Sequence, residues 1–428
     1  MVLGLTNQEG GWMSGVFNLL VMFILFFFIF RLQMYQIIAR MERVAVEFEQ
    51  MVHVSKSRVV RKCVKKGGKR KDVKRYVDSF ADFFVIPPLA ADPYGIMDKI
   101  EHLLDSSEDR FEEAAKIIMP SRDPEDLADA AMALKGVIGM NQLAKIVRHA
   151  VELAKKMKNF QIALIIQMQL PLLKRMAKGQ MAGTKAFLDR FPIGDSIGPY
   201  VAASYLTKAP TEIAKGMVSG KVNIEGRTIF VVKATGPGAR VGKPGTGVEK
   251  LLKRNRIDRV ITVDAAGKLE GEITGSIAEG VGVAMGGGAN PERVKIEELC
   301  MKQKVPIDAI AIKMGIEEAI MPMNTKILKA ADRARESVLD AIRREKKGAK
   351  IILVGVGNGV GVGNTKASLK KIPQKIKARE ARLKKERDEK RSKGFNRFRI
   401  KKDKGDAEDI ASTLNTVTYL FQAWILGL

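Results

Sequence analysis

Between Glu9 and Arg31 the chain carries no charge, and residues 16–30 (VFNLLVMFILFFFIF) hold only one strongly polar side chain, Asn18. At about 1.5 Å per residue, such a run spans roughly 30 Å, the thickness of the hydrocarbon layer of a bilayer. Residues 10–31 therefore predict one transmembrane helix. The residues before it contain no Lys or Arg, and no small-residue cleavage pattern follows Phe30, so the run reads as a retained anchor. Residues 32–75 continue as a juxtamembrane helix and a basic loop. Apolar positions at Ile38, Met41, Ala45, Phe48 and Val52 recur by three and four, a short heptad seam. Two readings fit that seam: packing within its own domain, or a homo-oligomer through this helix. The paired glycines of residues 65–71 (KKGGKRK) end it.

Residues 76–190 carry helical periodicity and predict a helical domain. SRDPEDL at 121–127 places a capping residue, an early Pro and acids where a helix begins. Residues 105–107 and Gly179 read as further punctuation, and 127–178 as nearly unbroken helix. The Met-rich stretch 161–176 fits a buried core helix or an adaptable groove.

The pattern changes at Phe191. Short apolar runs at 228–232, 260–263, 307–312 and 350–355 are bounded by glycine, and helical patterns lie between them at 246–255, 291–303 and 324–347. Residues 191–365 thus predict an α/β domain with a mostly parallel sheet, whose ligands would sit at the carboxyl ends of its strands. A basic tail follows at 366–406, either a solvated helix held by pairs such as Glu380–Lys384 or a disordered arm. An uncharged amphipathic helix at 407–428 would lie on a membrane or dock on the protein.

Charge sharpens this layout. The formal net charge is +26, and two blocks supply most of it: residues 58–75 carry 10 Lys/Arg against one Asp, and residues 366–404 carry 18 against 5. Concentrated blocks mark local contacts for a polyanion, RNA of the ribosome or an anionic lipid surface. The candidate contacts are Lys65, Lys66, Lys69, Arg70 and Lys71 in the first block, and Lys384, Lys385, Arg391, Arg397 and Arg399 in the second. Arg31, Arg40 and Arg43 follow the apolar run while Glu9 precedes it, which places the N-terminus outside the cell membrane and the bulk of the chain in the cytoplasm. Two cysteines, Cys63 and Cys300, with no metal-type spacing, suit a reducing compartment.

The glycine loops do not complete a nucleotide motif. GPGARVGKP at 236–244 has Pro237 and Pro244 where a P-loop needs Gly and Ser/Thr, and GVGNGVGVGN at 355–364 never completes GxGxxG. Their backbone amides remain candidates to cradle an anion, at Gly236, Gly238, Gly242, Gly355, Gly357 and Asn358. All three histidines (His53, His102, His149) precede the α/β segment, leaving carboxylates as its chemistry. Asp264 follows the strand VITV, Asp195 lies in IGDSIGP, and Glu279 lies nearby in the glycine-rich stretch. Carboxylates at strand ends bind a divalent metal or act as general acid and base; the same two aspartates also fit loop and helix caps.

The anchor, PPLAADPYGI (87–96), FPIGDSIGP, ATGPGARVGKPG, VDAAGKLEGE and VGVGNGVGVGN together resemble a family of archaeal membrane-anchored proteins carrying a domain of unknown function, over about residues 10–365. A weaker resemblance, over 192–365, is to spore germination proteases and hydrogenase-maturation peptidases. GDSIGPYVA at 194–202 is similar to the latter's acidic loop, which implies Asp195 as a catalytic or metal ligand, and KIILVGVGN at 350–358 is similar to their first strand. Here those segments stand in reversed order, about 155 residues apart, and no histidine ligand accompanies them. Enzyme and non-catalytic relative both stay open. Metal-assisted hydrolysis by Asp195 and Asp264, with Glu279 beside them, through a divalent ion is one expectation; a membrane-anchored interaction protein with a peptidase-like or ligand-sensing α/β domain and basic segments on ribosomal RNA or another polyanion, or a lipid-binding scaffold, is the other.

Overall fold

The computed structural model describes residues 10–84, 95–157, 160–286 and 290–402. Helix α1 (Gly10–Lys65) runs unbroken for 56 residues. Its apolar stretch is exposed throughout, with Phe23 at 75%, and it is the one helix among the described residues long and apolar enough to cross a membrane. From Ile37 onward one face turns inward: Ile37, Met41, Ala45, Phe48 and Val52 are buried, the i, i+3, i+4 stripe of an amphipathic helix. The seam starts one residue earlier than its spacing predicts, and Ile38 is only partly covered.

A turn at Gly67 (φ +99°) leads into α2 (Arg70–Phe80), followed by α3 (Ile96–Ile118), α4 (Pro124–Met157) and α5 (Phe160–Leu188). The stripe of α1 packs on α4 and α5 with Met140, Val147, Ala163 and Leu170. The seam is filled by the chain's own helices, which leaves the dimer reading without its surface. Helix α4 starts at Pro124 as expected, with Glu125 and Asp126 in its first turn. Two expected breaks are absent. Residues 105–107 lie inside α3, and Gly179 lies inside α5, where it allows a close approach: a Cβ there would stand 3.2 Å from the backbone oxygen of Glu317. The long helix expected over 127–178 is two helices, and residues 158–159 between them lie outside the described residues.

The second half opens with a 3-10 turn at Gly194–Ser196 and α6 (Ile197–Ala203). Then come β1 (Thr211–Ala214), β2 (Met217–Ile224), β3 (Arg227–Ala234), α7 (Pro244–Arg254), β4 (Arg259–Gly267) and β5 (Ile277–Val281). The remainder is α8 (Pro291–Gln303), β6 (Ile307–Met314), α9 (Ile316–Ile320), α10 (Thr325–Arg343) and β7 (Lys350–Gly355). The seven strands form one sheet in the order β1-β2-β3-β7-β4-β6-β5. Its centre, β3-β7-β4-β6, is parallel; β1-β2-β3 and β5-β6 pair antiparallel at the edges.

Parallel strands covered on both faces are apolar without alternation, and Ile351 to Val354 are all fully buried. Ile352 and Val354 face α7 and α8, packing with Val248, Leu252 and Ile296. Helices α6 and α10 meet each other and the sheet. The three strands outside the parallel centre, β1, β2 and β5, lacked a legible apolar run because they are half exposed: in β2, the side chains from Ser219 onward are exposed or partly so.

From Pro373 the chain forms a separate unit, in which α11 (Ile372–Lys402) is a single helix. Of the two readings of the basic tail, the helix holds through Lys402. The amphipathic helix expected at 407–428 lies outside the described residues, as do residues 85–94 of the PPLAADPYGI segment.

Candidate functional site

Asp264 sits on β4 where the strand emerges from the sheet, paired in register with Ala311 of β6. One residue earlier, Val263 faces Gly355, the last residue of β7. Beyond Gly355 the backbone turns through Gly357 (φ +119°), a conformation that favours glycine. Asp195 comes from the 3-10 turn before α6. Two glycines bring these segments together. A Cβ on Gly198 would press within 2.5 Å of the Val263 carbonyl, so α6 rests directly on the ends of β4 and β7. A Cβ on Gly357 would stand 3.2 Å from Cγ of Asp195.

Both aspartates line one cavity of about 300 Å³. Gly242, Gly286, Gly355 and Gly357 supply bare backbone to its wall, and Met217 and Met285 supply apolar surface. The Asn358 amide donates to Oδ2 of Asp195 at 2.8 Å, and the Ala265 amide donates to Oδ1 of Asp264 at 2.7 Å. Asp195 is therefore not a cap of α6. Asp264 is buried and Asp195 partly so. Burial, and then the charge of Asp195, hold the Asp264 carboxyl well above the usual carboxylate range. Burial pushes Asp195 up to about 6 against the hydrogen bond from Asn358. Because both line one cavity, a charge on Asp195 raises the cost of ionising Asp264.

Glu279 does not join them. It stands on edge strand β5, exposed, with its carboxylate 3.5 Å from Arg344 and away from the cavity wall, because β5 runs along the sheet edge. The anion-cradling reading of the loops is corrected too. The Gly236 amide donates to Oδ1 of Asn364 at 3.0 Å, the Gly238 amide to Glu125 of α4, and the Asn358 amide to Asp195. These amides serve the protein's own acceptors. Gly242, Gly355 and Gly357 instead form cavity wall. Among the described residues no cluster of three or more His, Cys, Asp or Glu is placed to hold a metal ion. Glu292 also lines the cavity, but its carboxylate accepts from the Thr246 amide at 2.9 Å, which leaves Asp195 and Asp264 as the candidate ligands to one.

In the first basic block, Lys65, Lys69, Arg70 and Lys71 are exposed, whereas Lys66 pairs with Asp126 at 2.8 Å. Lys384 and Lys385 are exposed on α11; Arg391, Arg397 and Arg399 lie on the part of α11 whose side chains are outside the described residues.

The DUF1512 N-terminal domain, a protein of unknown function, matches residues 16–190, and the DUF1512 C-terminal domain matches residues 193–363. The chain belongs to the DUF1512 family. Its N-terminal DUF1512 region holds the apolar helix and the helical layer, and its C-terminal DUF1512 region holds both aspartates and the whole cavity wall. The basic tail beyond residue 363 lies outside both matches. No curated protein and no solved structure matches the chain.

Sequence reasoning missed several parts of this DUF1512 site. Met217 begins β2, next to the edge strand β1, and Met285 follows edge strand β5; neither carries a local signal. Lys233 did carry one, as a lone charge in the apolar run TIFVVKA. It is fully buried, donating to the Ala234 carbonyl at 2.6 Å and to Oδ1 of Asn364 at 2.9 Å. Burial pushes its ammonium down to about 7. Through Asn364, Lys233 ties the loop at Gly236 to the loop that follows β7.

Proposed function

We propose that the chain is a membrane-anchored hydrolase in which Asp195 and Asp264 act as a proton-sharing pair on a peptide or a related carbonyl substrate. One observation carries this reading: two carboxylates distant in sequence converge in one cavity, each with its acidity suppressed. Asp264, the weaker acid, holds the shared proton, and Asp195 is the base. As water attacks the carbonyl carbon, Asp195 takes a proton from it and Asp264 gives its proton to the carbonyl oxygen. When the C–N bond breaks, the proton on Asp195 passes to the leaving nitrogen. The O–H proton of the collapsing intermediate returns to Asp264, so both groups end as they began. The apolar wall from Met217 and Met285 suits uncharged side chains, and two carboxylates disfavour an anionic substrate. Arg31, Arg40 and Arg43 after the apolar run support a cytoplasmic cavity.

The full chain, incubated in detergent with a degenerate peptide library, is expected to give cleavage products by mass spectrometry, most rapidly above pH 6, where Asp195 is ionised while Asp264 keeps its proton, and unaffected by EDTA. An unchanged library from pH 4 to 8 overturns the reading. Cleavage abolished by EDTA and restored by a divalent cation replaces the shared proton with a metal held by the same aspartates.

A second reading is independent of the cavity. The exposed Lys65, Lys69, Arg70 and Lys71 at the turn between α1 and α2, with Lys384 and Lys385 on α11, support binding to ribosomal RNA. In filter binding with the full chain, RNA affinity is expected to fall steeply with salt, by about 0.7 log units per log unit of salt for each phosphate contact. Binding to anionic vesicles with none to RNA would assign these residues to lipid instead.

A further inference from the structure

Exposed apolar side chains are common singly, but here they gather at one end of the helical layer, beside the membrane helix. The ring of Phe160, the first residue of α5, lies 4.4 Å from the ring of Phe30, the last residue of the apolar run of α1. Around this contact Met157 is 51% exposed, Leu164 42% and Ile165 60%; Leu32 and Tyr35 of α1 are exposed at the same level. Lys156 is exposed beside Met157, and the Arg31 guanidinium lies 6.0 Å from the centre of the Tyr35 ring. Apolar side chains mixed with aromatic and basic ones are what the water-facing boundary of a bilayer selects.

Helices α5 and α1 climb together. Phe160 meets Phe30, and further along Lys174 pairs with Glu47 at 2.5 Å. Height above the end of the hydrocarbon can therefore be counted along α5. At about 1.5 Å per residue, Leu164 and Ile165 stand about 6–8 Å above the ring pair, Met168 about 12 Å and Leu172 about 18 Å. The headgroup layer on each side of a bilayer is about 5–8 Å deep. Phe160, Leu164 and Ile165 fall within it.

We propose that the paired ends of α4 and α5 rest in the headgroup layer of the bilayer that α1 crosses, with Met157, Phe160, Leu164 and Ile165 entering it and Lys156 at the lipid phosphates. The proposal rests on the reading of α1 as a membrane span. The occupant is lipid rather than a second copy because the patch is continuous with the lipid-facing surface of α1 through the Phe30–Phe160 contact.

The test uses the full chain in nanodiscs of phosphatidylcholine and phosphatidylglycerol, with single cysteines introduced at Phe23, Ile165, Leu172 and Met301 and labelled with an environment-sensitive fluorophore. The native Cys63 and Cys300 are buried and stay unlabelled in the folded protein. Lipids carrying a nitroxide in the acyl chain should quench the label at Phe23→Cys, which reports the span itself. Lipids carrying a nitroxide on the headgroup should quench Ile165→Cys several-fold more than Leu172→Cys, and Met301→Cys, exposed on α8, not at all. Equal quenching at Ile165→Cys and Met301→Cys, with Phe23→Cys quenched, overturns the proposal while the span stands. Loss of quenching at Phe23→Cys overturns both. Energy transfer between Ile165→Cys labels of two copies, without headgroup quenching, gives the surface to a second chain and also overturns it.

Discussion

Replacing Asp264 with asparagine is expected to lower peptide cleavage by about 10²–10⁴-fold, the contribution of a positioned general acid, while the fold stays intact. Asparagine has the same shape and can still accept from the Ala265 amide. It cannot hold the exchanging proton. Because Asp264 no longer bears a charge, any residual activity should follow the titration of Asp195 alone, its acid limb still near 6. Asp195→Asn should lose activity to the same degree. A cleavage rate in either variant equal to that of the unmodified chain would remove the pair from the mechanism. Stability should move the opposite way. A carboxyl whose folded value is raised above its unfolded value favours the folded state below the unfolded value, near 3.9, and loses that advantage as pH rises through about 6. At pH 8 the unmodified protein carries this cost, so Asp195→Asn should be more resistant to urea there, by about 1–3 kcal/mol, and little different at pH 4.

Arg190→Ala is expected to destabilise the protein by about 3 kcal/mol, the cost of removing the guanidinium that joins three carboxylates, two of them buried, with Lys66 left on Asp126 alone. The Arg190 guanidinium meets Asp129 at 2.6 Å and Asp123 and Asp126 at 2.9 Å each, and Asp126 and Asp129 are buried. Arg190→Lys should recover only part of the loss, because an ammonium cannot span three carboxylates as a planar fork does. Burial already pushes Asp129 up to about 6 with Arg190 in place. Without it the carboxyl rises further, so the loss should be largest above pH 7 and shrink as acid neutralises Asp129. Urea denaturation at pH 5 and pH 8 separates the two. Asp129 also accepts the Ala239 amide at 2.9 Å, and that loop continues into the cavity wall at Gly242. Arg190→Ala should therefore slow cleavage although Arg190 does not line the cavity; an alanine variant of normal stability at pH 8 would contradict the network's weight.

Much of this fold was legible because burial leaves a local trace. The four central strands fall on the four glycine-bounded apolar runs, and α8 falls on its expected residues, Pro291 at one end and Gln303 at the other. The half-exposed strands β1, β2 and β5 left no such run. Asp195 and Asp264 were legible as chemistry, and their meeting was one expectation, but the contact that produces it was not legible. It depends on Gly198 letting α6 settle on β4 and β7, a contact between backbone segments far apart in sequence. Glu279 shows the converse: closeness in sequence to Asp264 did not survive the course of β5. The glycine loops misled for a related reason. Their partners, Glu125, Asp129 and Asn364, lie more than a hundred residues away from the amides they accept, and no spacing rule records such pairs.

Helix α1 passes from its apolar stretch into the helical core without a break, and at Arg58 it reaches the level where α5 carries Met181, close to Gly183 and its contact with Ile320 of α9. From Arg31 to Arg58 is about 40 Å of helix axis. With no joint in between, α1 works as a ruler that fixes the separation between its apolar stretch and the level of α5 and α9. An extended chain starting at Arg31 would need on the order of a dozen residues to cover the same distance.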